Sequence, residues 1–571
     1  MNPFFPVVFI NSHMTNREIS DYFSLLSKLM DIHGENSFKS KSYSITAYNI
    51  EKAPGEIALM DDSQLFSLKG IGEATGKKIR EIQQTGHLAA LDKILAETPP
   101  GILDMLSIKG IGPKKIALIW KEMSIETIGE LEYACNENRL VEVKGFGAKT
   151  QEGILDSIKF LQQNQGFHLW AHVEEAANNL TLQLQQAFPG KMFSVTGDIR
   201  RQAETLEYIE IVSDIDKEAL AKQFQNIPDT TIDEQANGQL VIHIPNEPRI
   251  KFHLTHKDKF YQTLFLTTGS AEFIAAFDAK YGLPENVVSE EEIFSKNNIP
   301  YIPPAQRETA QVLELAANNQ LQDLITPADI KAIIHSHSTW SDGRNTIEEM
   351  AKAAIDNGFE YLVISDHSEA AYYAKGLSPE RIAAQHQEVD ALNDKLAPFK
   401  IFKSIEADIL GDGSLDYNPN VLKTFDLVIA SVHSNLKMGL EKAMERVMTA
   451  VRNPFTTILG HPTGRLLLSR AGYPLDHKAV IDACAEHDVV IEINASPRRL
   501  DLDWRWIAYA IEKGVLLSID PDAHSTNGYK DIYYGVMAAQ KGGLTATQNL
   551  SSFTLAEFEA FLERYRQKRG Q

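Results

Sequence analysis

The stretch Ile333-Ile334-His335-Ser336-His337-Ser338-Thr339-Trp340-Ser341-Asp342-Gly343 runs a short apolar segment straight into metal-type ligands. The same arrangement recurs downstream. Tyr361 to Ile364 leads to Asp366-His367, Ile401-Phe402 to Glu406, Leu427 to Ala430 to His433, and Ile458-Leu459 to His461. Val489 to Ile493 leads to Asn494, and Leu516 to Ile519 leads to Asp520-Pro521-Asp522-Ala523-His524. Helical periodicity fills residues 346–357, 437–452 and 478–486 in between. Short apolar runs alternating with helices predict a repeated β/α unit of about seven strands. Parallel strands closed into a barrel deliver their C-terminal ends to one face, so His335 and His524, almost 190 positions apart, converge. Alternate residues of a strand share a face, which lets His335 and His337 act together. Six of the 17 histidines stand at predicted strand ends. A single such histidine is ordinarily structural; six of them with carboxylates predict a metal cluster.

These residues resemble the PHP (polymerase and histidinol phosphatase) domain, and the whole family set is present: His335, His337, Asp342, His367, Glu406, His433, His461, Asp522 and His524. The resemblance implies three divalent metals. His335, His337, Glu406 and Asp522 would hold the first, Glu406 with His433 and His461 the second, and Asp342, His367 and His524 the third. Mixed imidazole and carboxylate donors suit Mn²⁺, Zn²⁺ or Fe²⁺ better than an all-oxygen Mg²⁺ site. Such a centre hydrolyses phosphoesters, with Glu406 and Asp522 as its bridging and catalytic carboxylates. Arg465, in Gly460-His461-Pro462-Thr463-Gly464-Arg465, is a candidate for a flanking phosphate, and Asp366 for orienting a ligand histidine.

The first third repeats itself. Leu68-Lys69-Gly70-Ile71-Gly72, Ile108-Lys109-Gly110-Ile111-Gly112 and Val143-Lys144-Gly145-Phe146-Gly147 each read apolar-Lys-Gly-apolar-Gly before a helical pattern. Glycines permit a tight turn, and the next helix then offers free backbone N–H groups to a phosphate, with lysine adding charge. The three copies resemble helix-hairpin-helix motifs, which grip the DNA backbone whatever its sequence. Upstream, an amphipathic pattern over residues 19–30 and the segment His33 to Lys39 resemble the small N-terminal domain of family X DNA polymerases. By that resemblance Lys78 stands where some relatives place a Schiff-base lysine for deoxyribose phosphate removal; a phosphate contact or a solvated lysine is the simpler reading.

The middle third carries a helical pattern over residues 169–188, a strand over 192–196, then Gly197-Asp198-Ile199-Arg200-Arg201-Gln202-Ala203-Glu204-Thr205 and Leu206-Glu207-Tyr208-Ile209-Glu210-Ile211-Val212. This resembles the palm motif of family X polymerases, whose two strand aspartates hold Mg²⁺. Here those positions are Tyr208 and Glu210, and Arg249-Ile250-Lys251-Phe252-His253 puts Lys251 at the third carboxylate position, with Asp233 or Glu234 upstream as other candidates. Asp198 replaces a serine that touches triphosphate. Two metals about 4 Å apart need shared carboxylates to offset their repulsion, so Mg²⁺ is not expected in this palm. Glu210 reads as a solvated edge-strand residue. Thr268-Gly269-Ser270 and residues 299–308 resemble the family's phosphate-contact and thumb segments.

With 571 residues, the chain has room for three or four domains. The expected layout is multidomain: a helical helix-hairpin-helix region (1–95 and 96–165), an α+β nucleotidyltransferase-like palm and thumb (166–320), and a C-terminal α/β PHP barrel (325–571). Net charge is −21, which excludes a protein that coats nucleic acid by bulk charge. Residues 1–165 hold 18 Lys+Arg and 21 Asp+Glu, net −3, so −18 falls on the rest. No apolar run is long enough to span a membrane, and two cysteines exclude a disulfide framework, which fits a reducing cytoplasm. Asn2 to His13 matches nothing, so Met14 is the expected start, or the extension is disordered. The sequence therefore predicts a DNA-binding, metal-dependent phosphoesterase, a 3′–5′ exonuclease on DNA ends or gaps. An active gap-filling polymerase, a histidinol-phosphate-type phosphatase and a non-catalytic DNA scaffold are the alternatives.

Overall fold

The structure is a computed structural model that describes residues 14–568 except 54, 69, 138, 236, 237 and 246. The segment before Met14 and Lys69 therefore lie outside the described residues. The chain divides into two compact units, one ending at Gln165 and the other running from Gly166.

The first unit is helical. Its opening helix, Asn16–His33, starts in a capping box between Thr15 and Glu18 and buries Ile19, Phe23, Leu26 and Met30 along one stripe. The three repeats fold alike. Gly70, Gly110 and Gly145 take φ of +80°, +99° and +103°, where any residue with a Cβ loses about 1–2 kcal/mol. Ile71, Ile111 and Phe146 are buried beside them. Gly72, Gly112 and Gly147 then cap helices Glu73–Thr85, Pro113–Met123 and Ala148–Asn164.

The second unit opens with helix Trp170–Ala187 and a five-stranded sheet: β1 (Phe193–Thr196), β2 (Tyr208–Ser213), β3 (Thr231–Glu234), β4 (Gln239–His243) and β5 (Arg249–Leu254). The order is β1-β2-β5-β4-β3, so β2 lies inside the sheet between β1 and β5. An aromatic core of Phe265, Phe273, Phe277 and Phe294 follows.

Seven parallel strands come next: β6 (Ala332–Ile333), β7 (Tyr361–Ile364), β8 (Lys400–Asp408), β9 (Leu427–Ser431), β10 (Ile458–Leu459), β11 (Val490–Asn494) and β12 (Leu517–Asp520). They neighbour one another in sequence order, and a parallel bridge between Ser336 and Ala523 joins the first edge to the last. The result is a nearly closed seven-stranded barrel, with helices Ile347–Asp356, Leu440–Val451 and His477–His487 where the sequence places them. The final helix, Leu555–Lys568, packs Phe558, Phe561 and Tyr565 against barrel residues Tyr361 and Phe402.

Palm and barrel pack together within this unit. Trp170 stacks on Tyr533 at 6.0 Å and meets Tyr534 edge-on, while the Tyr533 hydroxyl donates to Glu174 at 2.7 Å. Lys541 reaches from the barrel to the Arg201 carbonyl at 2.7 Å and to Glu308. Among the described residues, no helix is long and apolar enough to cross a membrane.

Candidate metal centre

The strand ends of the barrel gather nine side chains. Three sets of ligand atoms lie within 4.8 Å of one another: His337, Asp342, His367 and His524; His335, His337 and Asp522; and His367, Glu406 and His433. His461 Nε2 lies 3.0 Å from Glu406 Oε1. Two of these sets contain expected groupings: Asp342, His367 and His524, and His335, His337 and Asp522. His337 joins the Asp342 set, and His367 faces Glu406 as well as Asp342, at 2.9 and 3.7 Å. Glu406 is the hub: its Oε2 is also 3.5 Å from His335 Nε2 and 3.7 Å from His337 Nε2.

Electrostatics suit cations. Burial opposes ionisation of Glu406, but His433, His335 and His367 hold its carboxyl well below the usual carboxylate range. Asp522 is held low in the same way by His335 and His337. Burial, then His524 and His367, push His337 down to about 3, so its imidazole is neutral and ready to coordinate. His335 Nε2 and His367 Nδ1 lie within 3.5 Å of Glu406 Oε2, and these three buried atoms make no well-aligned hydrogen bond. Buried polar atoms left so are costly unless something binds them, and a divalent cation fits this donor set.

A second layer fixes the ligands. Glu492, inside β11, accepts from the His461 backbone N–H at 3.0 Å and lies 2.6 Å from His335 Nδ1; Asp408 lies 3.2 Å from His433 Nδ1. Neither carboxylate was singled out from sequence. A lone Glu within the apolar run Val490-Ile491-Glu492-Ile493 was the available signal.

Two expected roles are corrected. Asp366 orients no histidine. It accepts from the Ser338 N–H (2.8 Å) and hydroxyl (2.6 Å), from Ser341 and from Gln385 (2.7 Å), so it shapes the turn that presents Asp342. Arg465 is not free to take a phosphate. Its guanidinium donates to the Arg499 carbonyl at 2.8 Å, to Asp503 at 2.7 Å, to the Leu500 carbonyl and to Glu204 of the palm. The arginine near the cluster is Arg499, whose Nε is 3.8 Å from Asp522 Oδ2.

In the palm, β2 and β5 pair in parallel and set Glu210 opposite Lys251. Glu210 is not a solvated edge residue. It is half-buried on an interior strand, 2.7 Å from His253 Nε2 and 3.8 Å from Lys251 Nζ. Lys251 also sits 3.7 Å over the Tyr208 ring. Gly197, at φ +64°, leaves room for Glu210; a Cβ there would come within 2.3 Å of its carboxylate. Asp233 and Glu234 lie exposed on β3, at the far edge of the sheet from β2, and do not reach this site. Asp198 pairs with Arg201.

In the helical unit, Lys109 and Lys144 are exposed on their hairpins, and Lys78 is half-buried on helix Glu73–Thr85. The N–H groups of the first turn of each capped helix lack intrahelical partners, as at any helix start.

Comparison with known proteins follows the same division. Residues 14–88 match a helix-hairpin-helix domain, 102–159 a SAM-like helix-hairpin-helix tandem, and 334–496 a PHP domain. The chain is 33% identical over 573 residues to the DNA polymerase/3′-5′ exonuclease PolX of Bacillus subtilis (strain 168), covering 96% of this chain and 100% of the relative. A probable phosphatase of Thermoanaerobacter sp. (strain X514) is 26% identical over 258 residues, 42% of this chain and 98% of that protein. A probable phosphatase of Caldanaerobacter subterraneus subsp. tengcongensis is 29% identical over 205 residues, 33% of this chain and 74% of that protein.

Proposed function

The chain belongs to the bacterial family X DNA polymerases that carry a C-terminal PHP domain, and we propose that it is a DNA-binding, metal-dependent phosphoesterase working as a 3′–5′ exonuclease at DNA ends or gaps. The convergence of nine ligand-type side chains around Glu406, whose buried atoms meet mainly one another, carries this reading. The Bacillus subtilis relative is a 3′-5′ exonuclease by its own description, which supports the polarity.

The residues fit three divalent metals, with Mn²⁺, Zn²⁺ or Fe²⁺ favoured over Mg²⁺ by the imidazole content. When bound, such ions lower the pKa of water and neutralise phosphate charge. The chain's own part is to place the donors. Glu406 and Asp522, ionised between histidines, supply the negative charge. Glu492 and Asp408 fix the rings of His335 and His433 and set which nitrogen faces inward. Arg499, beside Asp522, is placed to meet a phosphate oxygen as the scissile group enters.

DNA is held by the hairpins, whose exposed lysines and helix N-termini contact phosphates rather than bases. A small-molecule phosphatase needs no such grip, which favours a polymer substrate. The palm does not extend primers on this reading: Glu210 is already paired with His253 and Lys251, and Tyr208 lies under Lys251, so no carboxylate set remains for Mg²⁺. The test is digestion of gapped DNA, labelled at the 3′ or the 5′ end, by the purified chain with Mn²⁺. Release of 3′ mononucleotides is expected; release from the 5′ end only, or none, overturns the assignment.

A further inference from the structure

The segment from Ser368 to Leu377 leaves the metal centre at His367 and returns to it. A parallel bridge joins Ser368 to Leu377, and the Leu377 N–H donates to the His367 carbonyl at 2.9 Å. Ala371, Ala374 and Leu377 are buried and anchor the turn. Between them Tyr372 and Tyr373 stand out at 85% and 64% exposure. Their rings lie 6.2 Å apart, edge to face, and the Tyr373 ring is 6.5 Å from the His367 imidazole.

Among the described residues the rings of these two open tyrosines meet only each other and the His367 imidazole, and large exposed aromatics beside such a cluster mark a binding surface. The turn is held rigid from behind. Arg381 donates to the Lys375 and Gly376 carbonyls at 2.6 and 3.1 Å, and Asp416 accepts from the Ala370 N–H at 2.7 Å. Gly376 is pressed so closely that a Cβ would lie 1.8 Å from the Ser368 carbonyl. The backbone that carries both rings does not have to be ordered when a ligand arrives, which lowers the entropic cost of stacking.

We propose that Tyr372 and Tyr373 form a nucleobase-stacking platform for the strand whose phosphodiester lies at the metal centre. The inference rests on the nuclease reading and assigns it a base-binding subsite. The ligand follows from position: a group one nucleotide's reach from a phosphate-binding cluster and offering a flat π-face is a base. Stacking is indifferent to base identity, as a nuclease without sequence preference requires. The rings would hold the last unpaired bases while their phosphate is cut.

The test compares two single strands with the full chain, one ending in 2-aminopurine and one ending in abasic tetrahydrofuran residues. The wild-type chain should bind and digest the base-bearing strand better, and quench its 2-aminopurine fluorescence before Mn²⁺ is added. Tyr373→Ala and Tyr372→Ala should each raise KM about tenfold for the base-bearing strand, abolish the quenching, and leave the abasic strand unchanged. Tyr373→Trp should restore both. Equal losses on the two strands, or no loss on either, overturn the platform. If the wild-type chain digests neither strand, the nuclease reading fails, and the quenching still decides whether the rings bind bases.

Discussion

Glu204 of the palm and Arg465 of the barrel form an ion pair with little exposure on either side. Arg465 follows His461 by four residues, in a loop that Asp501 also holds through the Thr463 N–H and hydroxyl, each at 2.9 Å. A glutamate of the polymerase-like motif thus supports the loop that carries a metal ligand. Removing it leaves the guanidinium with Asp503 and two backbone carbonyls as partners, a loss of about 1–2 kcal/mol. Glu204→Ala should therefore lower the stability of the second unit in denaturant unfolding and slow Mn²⁺-dependent digestion, although Glu204 touches no ligand atom.

Glu406→Ala and His335→Ala should each abolish digestion while circular dichroism stays unchanged. Losing the hub removes donors from several positions at once, and a catalytic metal typically supplies several kcal/mol, ~10³-fold or more in rate. Undiminished activity in both variants would refute the site.

Glu492→Gln should be milder. It keeps the shape but weakens the charge behind His335, so metal affinity should fall roughly 10- to 100-fold. Activity titrated against Mn²⁺ should recover at high metal concentration, which separates this variant from Glu406→Ala.

Lys109→Ala and Lys144→Ala should weaken binding to all DNA sequences alike, and the salt dependence should become shallower by about one unit per lost phosphate contact. Binding by fluorescence anisotropy over a salt series reads both. A sequence-selective loss would contradict the hairpin assignment.

Glu290 gives a pH signature. Burial opposes its ionisation, but Arg200 and Arg307 hold it down to about 2. A carboxyl depressed in the folded state adds stability above its ordinary value and loses it as pH falls through about 2. That contribution is about 3 kcal/mol. The wild-type chain should lose thermal stability steeply between pH 5 and 2, and Glu290→Gln, already destabilised at pH 7, should show a flatter profile.

In a Glu406→Ala background, single-nucleotide incorporation on gapped DNA should be absent and unaffected by Glu210→Ala. Robust extension that vanishes with Glu210 would show a working palm.

The barrel was legible because the parallel strands are largely buried on both faces and six of the seven end in a ligand, so the apolar runs and the histidines mark the same boundaries. The hairpins were legible because positive φ demands glycine at Gly70, Gly110 and Gly145. Glu204 and Arg465, 261 residues apart, were not, since their pairing depends on how two surfaces meet. Glu210 was misplaced for a related reason. Alternation gives a strand's two faces but not its neighbours, and only the sheet order sets β2 inside. Glu492 and Asp408 look in sequence like any polar residue on a strand.

The bridge between Ser336 and Ala523 has a consequence for the order in which the protein is made. The hairpins precede the barrel, and the last two ligands, Asp522 and His524, emerge at least 61 residues after the other seven, which end at His461. A chain that stops before Asp522 keeps the hairpins but cannot complete the ligand cluster. Such a chain should therefore retain DNA binding and lose Mn²⁺-dependent digestion.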